Sequence, residues 1–431
     1  MVKNEFSSID FKDKRLEKRW GKIISSLANN FRLSFTEIFN IFKEIKAFYR
    51  FISNKKITFK MLLNEHIKRT KERCEKEDVI LVVSDTTSYN FKAAPKIKGL
   101  GYIDTHKEKK GFLSHNCFAI SGETGEPLGL LHMEIIVREI MHAKDEGYYE
   151  RQKRKKESEK WINSLKKIDK MFGKDKKIIL ISDRESDIYN YMELLLKKER
   201  YFIIRSCQNR LTENGHLFDE ITGKDKKGVI KVKILEGKRE KVKKFRIYSK
   251  EVIIKSPKIL REKKSIKVNY VYAETIDKKI KLKLLTSEKI DTLEDCKKVV
   301  EYYKVRWKIE ELHKGIKTGC QIEKRQFGRR ERLEKILVIF SVIAWYGLYL
   351  RDKITKRIRS KEILDKYEIK ILKAKYPWMK MEGKNIIIAI AMLGGYLNRK
   401  GDKKPGWQTI LRGITILKTI KEGLLLYEKI F

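Results

Sequence analysis

The chain is poor in the residues that fasten small or secreted folds. Its five cysteines, Cys74, Cys117, Cys207, Cys296 and Cys320, are scattered and form no C-x-x-C pair. That excludes a disulfide framework and a structural zinc site, and indicates a reducing compartment. The seven histidines show no metal-ligand spacing. Five prolines, with no internal repeat or low-complexity run, leave nothing that reads as a flexible tether. The N-terminal MVKNEFSSIDFKDKR has no apolar signal region. The most apolar stretch, residues 336–350, is short of the roughly 20 residues that span a bilayer and reads as a buried core helix. The expectation is a soluble, cytoplasmic, nucleoid-associated protein with no membrane partner.

Acid is also scarce. Against 101 Lys and Arg stand 58 Asp and Glu, a formal charge of +43. Self-repulsion on that scale is most easily tolerated beside a polyanion, and the charge runs through the whole chain. Double-stranded DNA is the expected partner. No RNP-type aromatic motif or GXXG-type clamp points to RNA.

At 431 residues the chain holds two to four domains around a large core. Residues 1–75 read as a helical, basic module that grips DNA backbone. In it Ser34 and Glu37 form a capping box. Ile38, Ile41, Phe42, Ile45, Phe48, Tyr49 and Ile52 follow as one apolar helical stripe, with Lys46 and Arg50 among them. Residues 76–206 and 289–330 read as an α/β core of the RNase H-like kind. In it 111–121 and 127–137 form a hairpin, helices cover about 144–172 and 184–198, and YFIIRS (201–206) is a strand. Residues 207–288 read as a β-rich insertion with Lys on its outward faces, which serves either edge protection or DNA contact. Residues 331–431 read as a helical C-terminal region.

Two short β-branched runs, VILVVSD and KKIILISD, each end in a carboxylate, Asp85 and Asp183. A third carboxylate, Glu310, lies in YYKVRWKIEELHKGIK, residues 302–317. There Tyr303, Arg306, Glu310 and Lys317 fall at helical spacing and predict one helix face. Carboxylates at neighbouring strand ends, met by one from a helix, make a hard oxygen cage suited to Mg²⁺, with Mn²⁺ as substitute. Two such ions serve phosphodiester chemistry. Arg184, Glu185 and Asp187 read equally as helix N-terminal groups, His313 as a helix-surface residue, and His115 as structural.

These pieces resemble, in order and nearly end to end, a DDE transposase of the bacterial cut-and-paste insertion-sequence family with the Y-R-E-K signature. The matching segments are FKDKRLEKR, KAFYRFISN, SDTT, GLLH, SDRESDIY, LLTSE, YYKVRWKIEELHKGIKTG and LGGYLNRKGDKKPGW. The resemblance implies Asp85, Asp183 and Glu310 as catalytic metal ligands, and Tyr303, Arg306 and Lys317 as DNA contacts. It implies nicking at the element end, a hairpin intermediate, strand transfer into target DNA, and a homodimer paired through the C-terminal region. One departure stands out. Relatives place a Trp two residues before LLTSE to stack on a flipped base, and here that position is Leu282, which has no π-face. Two other readings share the residues: an RNase H-like nuclease or resolvase, and a catalytically silent DNA-binding transposition inhibitor.

Overall fold

The β-branched runs of the sequence become one mixed sheet, and the Lys- and Glu-rich periodic segments become the helices that cover it. The computed structural model describes residues 2–92, 96–104, 109–138, 157–236, 239–257, 264–353 and 363–430. Four helices lead: α1 (Lys14–Asn29), α2 (Phe35–Ile38), α3 (Phe42–Ser53) and α4 (Phe59–Cys74). Asp13 caps α1, Thr58 caps α4, and the Ser34–Glu37 capping box opens α2 as expected. The apolar stripe expected as one helix is instead broken between α2 and α3. Phe39 leaves helical geometry to stack on Phe48, with ring centroids 4.7 Å apart. That break carries Ile41 and Phe42 to the surface, 61% and 78% exposed.

Among the described residues twelve strands follow: β1 (Val79–Asn90), β2 (Gly101–Tyr102), β3 (Lys110–Ser121), β4 (Pro127–Ile136), β5 (Lys177–Ser182), β6 (Tyr201–Arg205), β7 (Leu211–Thr212), β8 (Gly215–His216), β9 (Lys226–Glu236), β10 (Arg239–Ile254), β11 (Ile266–Thr275) and β12 (Lys281–Thr286). Their order is β2-β3-β1-β5-β6-β12-β11-β10-β7-β8, with β4 on β3 and β9 on β10. The predicted hairpin is β3–β4. Because β12 pairs with β6, the Lys-rich strands continue the central sheet without a break. Alternation along β1 sorts its side chains: Leu81 and Val83 enter the core on one face, Ile80 and Val82 that on the other.

The helices among and after the strands are α5 (Glu159–Met171), α6 (Tyr189–Lys197), α7 (Leu293–Lys304), α8 (Trp307–Lys314), α9 (Arg330–Lys353), α10 (Lys366–Lys375), α11 (Lys384–Leu393) and α12 (Trp407–Ile430). Of the helix expected over 144–172, residues 144–156 lie outside the described residues. The helix expected over 184–198 starts as a 3-10 turn, Arg184–Ser186, before α6. Helix α9 is apolar and long enough to cross a membrane by length and composition alone, but 89% of its most apolar window is buried inside the protein.

Charged residues bind the N-terminal helices to this body. The Glu5 carboxylate accepts from Arg73 Nη1 at 2.7 Å and from His66 Nδ1 at 2.7 Å. The Leu130 amide donates to His66 Nε2 at 3.1 Å, which leaves the ring proton on Nδ1, facing Glu5. Arg325 donates to the carbonyls of Leu33, Phe31 and Cys320, and Lys335 to those of Ile52 and Asn54.

Candidate active site and nucleic-acid interface

Strand register sets the first two carboxylates side by side. The parallel pairing of β1 with β5 ends at Ser84–Ser182, so Asp85 and Asp183 are the next residues on neighbouring strands. β1 does not stop at Asp85, as its sequence suggested. It pairs on with β3 to Asn90, because the antiparallel partner is longer than the parallel one. Asp85 is thus the first residue at which the β5 side of the strand opens. Asp183 caps the following 3-10 turn, accepting from the Glu185 amide at 3.0 Å.

A third strand adds a group that the sequence reading did not single out. β5 pairs with β6 through Ser182–Ile204, so Arg205 stands next to Asp183 at the same edge. The signal was there: YFIIR is a β-branched run closed by a charge, like the two before it.

The expected single helix over 302–317 is three pieces. α7 ends at Lys304, α8 begins after Arg306, and Gly315–Gly319 forms a π-helical turn. Tyr303, Arg306, Glu310 and Lys317 therefore lie on three successive pieces, and all four converge on the carboxylates. Burial pushes the Tyr303 phenol up, opposed by Arg306 and Arg205. Arg306 is ion-paired to Glu310 across one helical turn. Lys317 lies 5.6 Å over the Tyr89 ring, and its ammonium is held below the usual lysine range by burial, opposed by Glu323 and Asp85.

Glycine makes the π turn possible. A Cβ on Gly315 would stand 2.8 Å from Ala344 Cβ, and one on Gly319 would stand 2.2 Å from Cη2 of Trp407. The LGGYLNRKGDKKPGW motif thus has a visible structural use: its Trp407 is the wall against which the Lys317 turn packs.

Electrostatics single out Asp85. Its carboxyl is raised to about 6, first by burial and next by the Asp183 charge, with Glu310 adding to the effect; the Thr86 backbone and Arg306 oppose it. A buried carboxylate beside a second one is relieved by a cation. Among the described residues, no group of three or more His, Cys, Asp and Glu side chains closes into a metal cluster. In particular, Glu310 is turned to Arg306. The donor chemistry, all carboxylate oxygen, is that of a Mg²⁺ or Mn²⁺ site.

Other residues have structural duties. Asp187 is fully buried and accepts from the amides of Cys207 and Gln208, at 2.8 and 2.9 Å, and from Arg210. Glu185 pairs with the buried Lys160 at 2.6 Å. His115 packs edge-on against Trp161. His313 is not a surface residue: it is buried and bonded to Asn116. Leu282 is half-buried on β12, packed on the larger core.

At the N-terminal end of the chain, α1 and α3 form a groove lined by Arg15, Arg19, Lys43, Lys46 and Arg50. Arg19 bridges to Glu44 at 2.8 Å and fixes the two helices. Exposed Phe42 stands beside it, with the Lys46 ammonium 5.7 Å over its ring.

Residues 1–57 match the family model described as transposase DNA-binding, and residues 147–345 that of the transposase DDE domain. The chain carries transposase domains. The DDE match contains Asp183, Arg205 and Glu310, and the DNA-binding match contains the whole α1–α3 groove; Asp85 falls between the two. DDE domains of transposases generally use divalent metals such as Mg²⁺. Among solved structures, the chain is similar to a piggyBac transposase in its synaptic complex with hairpin DNA. The identity is 10% and the TM-score 0.43, over 96% of this chain and 73% of that one.

Proposed function

We propose that this chain is a cut-and-paste DNA transposase of the bacterial insertion-sequence family with the Y-R-E-K signature, acting in the cytoplasm on the ends of its own element. The observation that carries the reading is the row Asp85, Asp183, Arg205 at one sheet edge, faced by Tyr303, Arg306 and Glu310. Asp85, Asp183 and Glu310 would hold Mg²⁺, or Mn²⁺ in its place. When bound, the metal supplies Lewis-acid activation of the attacking and leaving oxygens.

The chain's own residues supply the remainder. Arg205, Arg306 and Lys317 bind and orient the scissile phosphate, with Tyr303 fixing the two arginines between sheet and helix. Glu310 must exchange its Arg306 partner when the site is loaded, which frees the guanidinium for phosphate. Arg15, Arg19, Lys43, Lys46 and Arg50 hold the backbone of the terminal repeat. Cleavage gives a free 3′-hydroxyl, a hairpin and then strand transfer, with Leu282 lying where relatives stack a Trp. The exposed apolar face of α12, with Ile416, Ile420, Leu426, Tyr427 and Ile430, supports pairing of two protomers.

The test is cleavage of a labelled duplex carrying the gene's flanking end, with Mg²⁺ or EDTA, by wild type and Glu310→Gln. Metal-dependent nicks at the end boundary by wild type alone are expected, with hairpins on denaturing gels. Tight binding without cleavage under any metal would overturn the enzymatic reading.

A further inference from the structure

A buried polar chain stands behind Asp85. Asn116 on β3 is the cross-strand partner of Asp85 and is fully buried, as is Ser114. Ser114 Oγ donates to Asn116 Oδ1 at 2.9 Å. Asn116 Nδ2 lies 3.4 Å from the Ser114 carbonyl oxygen and 2.9 Å from His313 Nε2. A carbonyl oxygen only accepts, so the side-chain atom beside it is the amide NH₂. An NH₂ only donates, so His313 Nε2 accepts. The ring proton therefore sits on Nδ1, which faces Asp85 Oδ2 at 3.6 Å.

We infer that His313, locked by Asn116 as its Nδ1–H tautomer, is a positioning residue that orients the Asp85 carboxylate for a divalent cation. The inference rests on the reading of Asp85 as a metal ligand. At 3.6 Å the contact is longer than a hydrogen bond, so it works as a dipole aimed at one oxygen. A neutral N–H orients the carboxylate without cancelling its charge, whereas an imidazolium would compete with the cation. His313 lies one turn beyond Glu310 on α8, so one short helix both contributes a carboxylate and backs another. Partners that orient metal-binding groups in this way are commonly worth 10–100-fold in metal affinity or activity.

The test uses full-length, metal-free protein labelled with ¹⁵N-histidine. Long-range ¹H–¹⁵N correlation reads the protonated nitrogen, and loss of one signal set in His313→Asn assigns it. The expected result is a proton on Nδ1 and a bare Nε2. A proton on Nε2 in wild type overturns the inference.

Asn116→Asp then puts an acceptor opposite Nε2 and draws a proton there. Asp85 next faces a bare nitrogen or a full positive charge, and Mn²⁺ affinity by titration calorimetry falls about tenfold or more. An added carboxylate acting merely through its field would raise that affinity, so the sign separates the two accounts. Should Asn116→Asp not fold, Ser114→Ala, which releases the Asn116 amide, should give mixed tautomers and a smaller loss. Mn²⁺ binding that depends on Asp85 but ignores both variants overturns the inference alone. Absence of Mn²⁺ binding in wild type overturns the functional reading, and this inference with it.

Discussion

The indole of Trp407 fills the space where Gly319 would carry a Cβ: that atom would stand 2.2 Å from Cη2. Two motifs almost ninety residues apart are thus one packing unit, and Lys317 rides on it. Gly319→Ala should push the π turn off Trp407 and move the ammonium. The expected outcome is a loss of strand cleavage of about a hundredfold, since small misplacements near a reacting phosphate cost that much. Affinity for the element end should change little. Parallel cleavage and gel-shift assays separate the two.

Arg205 is the second prediction. It stands beside Asp183 and Tyr303, and under the proposed function it serves the phosphate and not end recognition. Arg205→Ala should lower cleavage by about 10²-fold, the loss seen when one preorganised charge stabiliser is removed. Arg205→Lys should recover only part, because an ammonium lacks the planar fork. An unchanged single-turnover rate in Arg205→Ala would remove it from the site.

How far these groups could be read from the sequence depended on how local their determinants are. Asp85 and Asp183 were legible because a continuous β-branched apolar run, buried along its length, and an abrupt polar boundary mark a strand end within a few residues. The β3–β4 hairpin and the Ser34 cap were legible for the same reason. The breaks at Phe39 and after Lys304 were not, since neither carries Gly or Pro. Phe39 turns out of its helix to meet Phe48, and the π turn answers to Trp407; both are tertiary causes. The continuation of β1 past Asp85 depends likewise on how far β3 runs beside it.

Phe42 offers a third test. It is 78% exposed beside the α1–α3 cationic groove, with the Lys46 ammonium over its ring. Phe42→Ala should leave the melting temperature unchanged and weaken binding to the element end by about tenfold, the scale of one lost base contact. Binding to unrelated duplex should hardly move. Arg50→Ala should weaken both and flatten the dependence on salt.

Acid stability is the fourth. The Glu5 carboxyl is lowered to about 2; burial opposes the shift, and the hydrogen bonds from His66 and Arg73, with the Arg73 charge, outweigh it. His66 is itself lowered, chiefly by burial. Both folded values lie below the unfolded ones, so the unfolded chain binds more protons and stability falls as pH falls. The His66 contribution is lost first, from about pH 6.5 downward, and that of Glu5 from about 4.5 toward 2. Glu5→Gln should lower stability at pH 7 and flatten the acid limb of a melting-temperature profile. A profile parallel to wild type would refute the linkage.

Arg325, from beyond α8, donates to the carbonyls of Phe31 and Leu33, in the loop ahead of α2. A gene copy truncated after its first helices would encode a DNA-gripping piece with those carbonyls bare and the Lys335 contacts gone as well. Such a remnant would have little means of holding its shape. The first helices are therefore no independent unit of this architecture, and they should keep their shape only while Arg325 and Lys335 hold them.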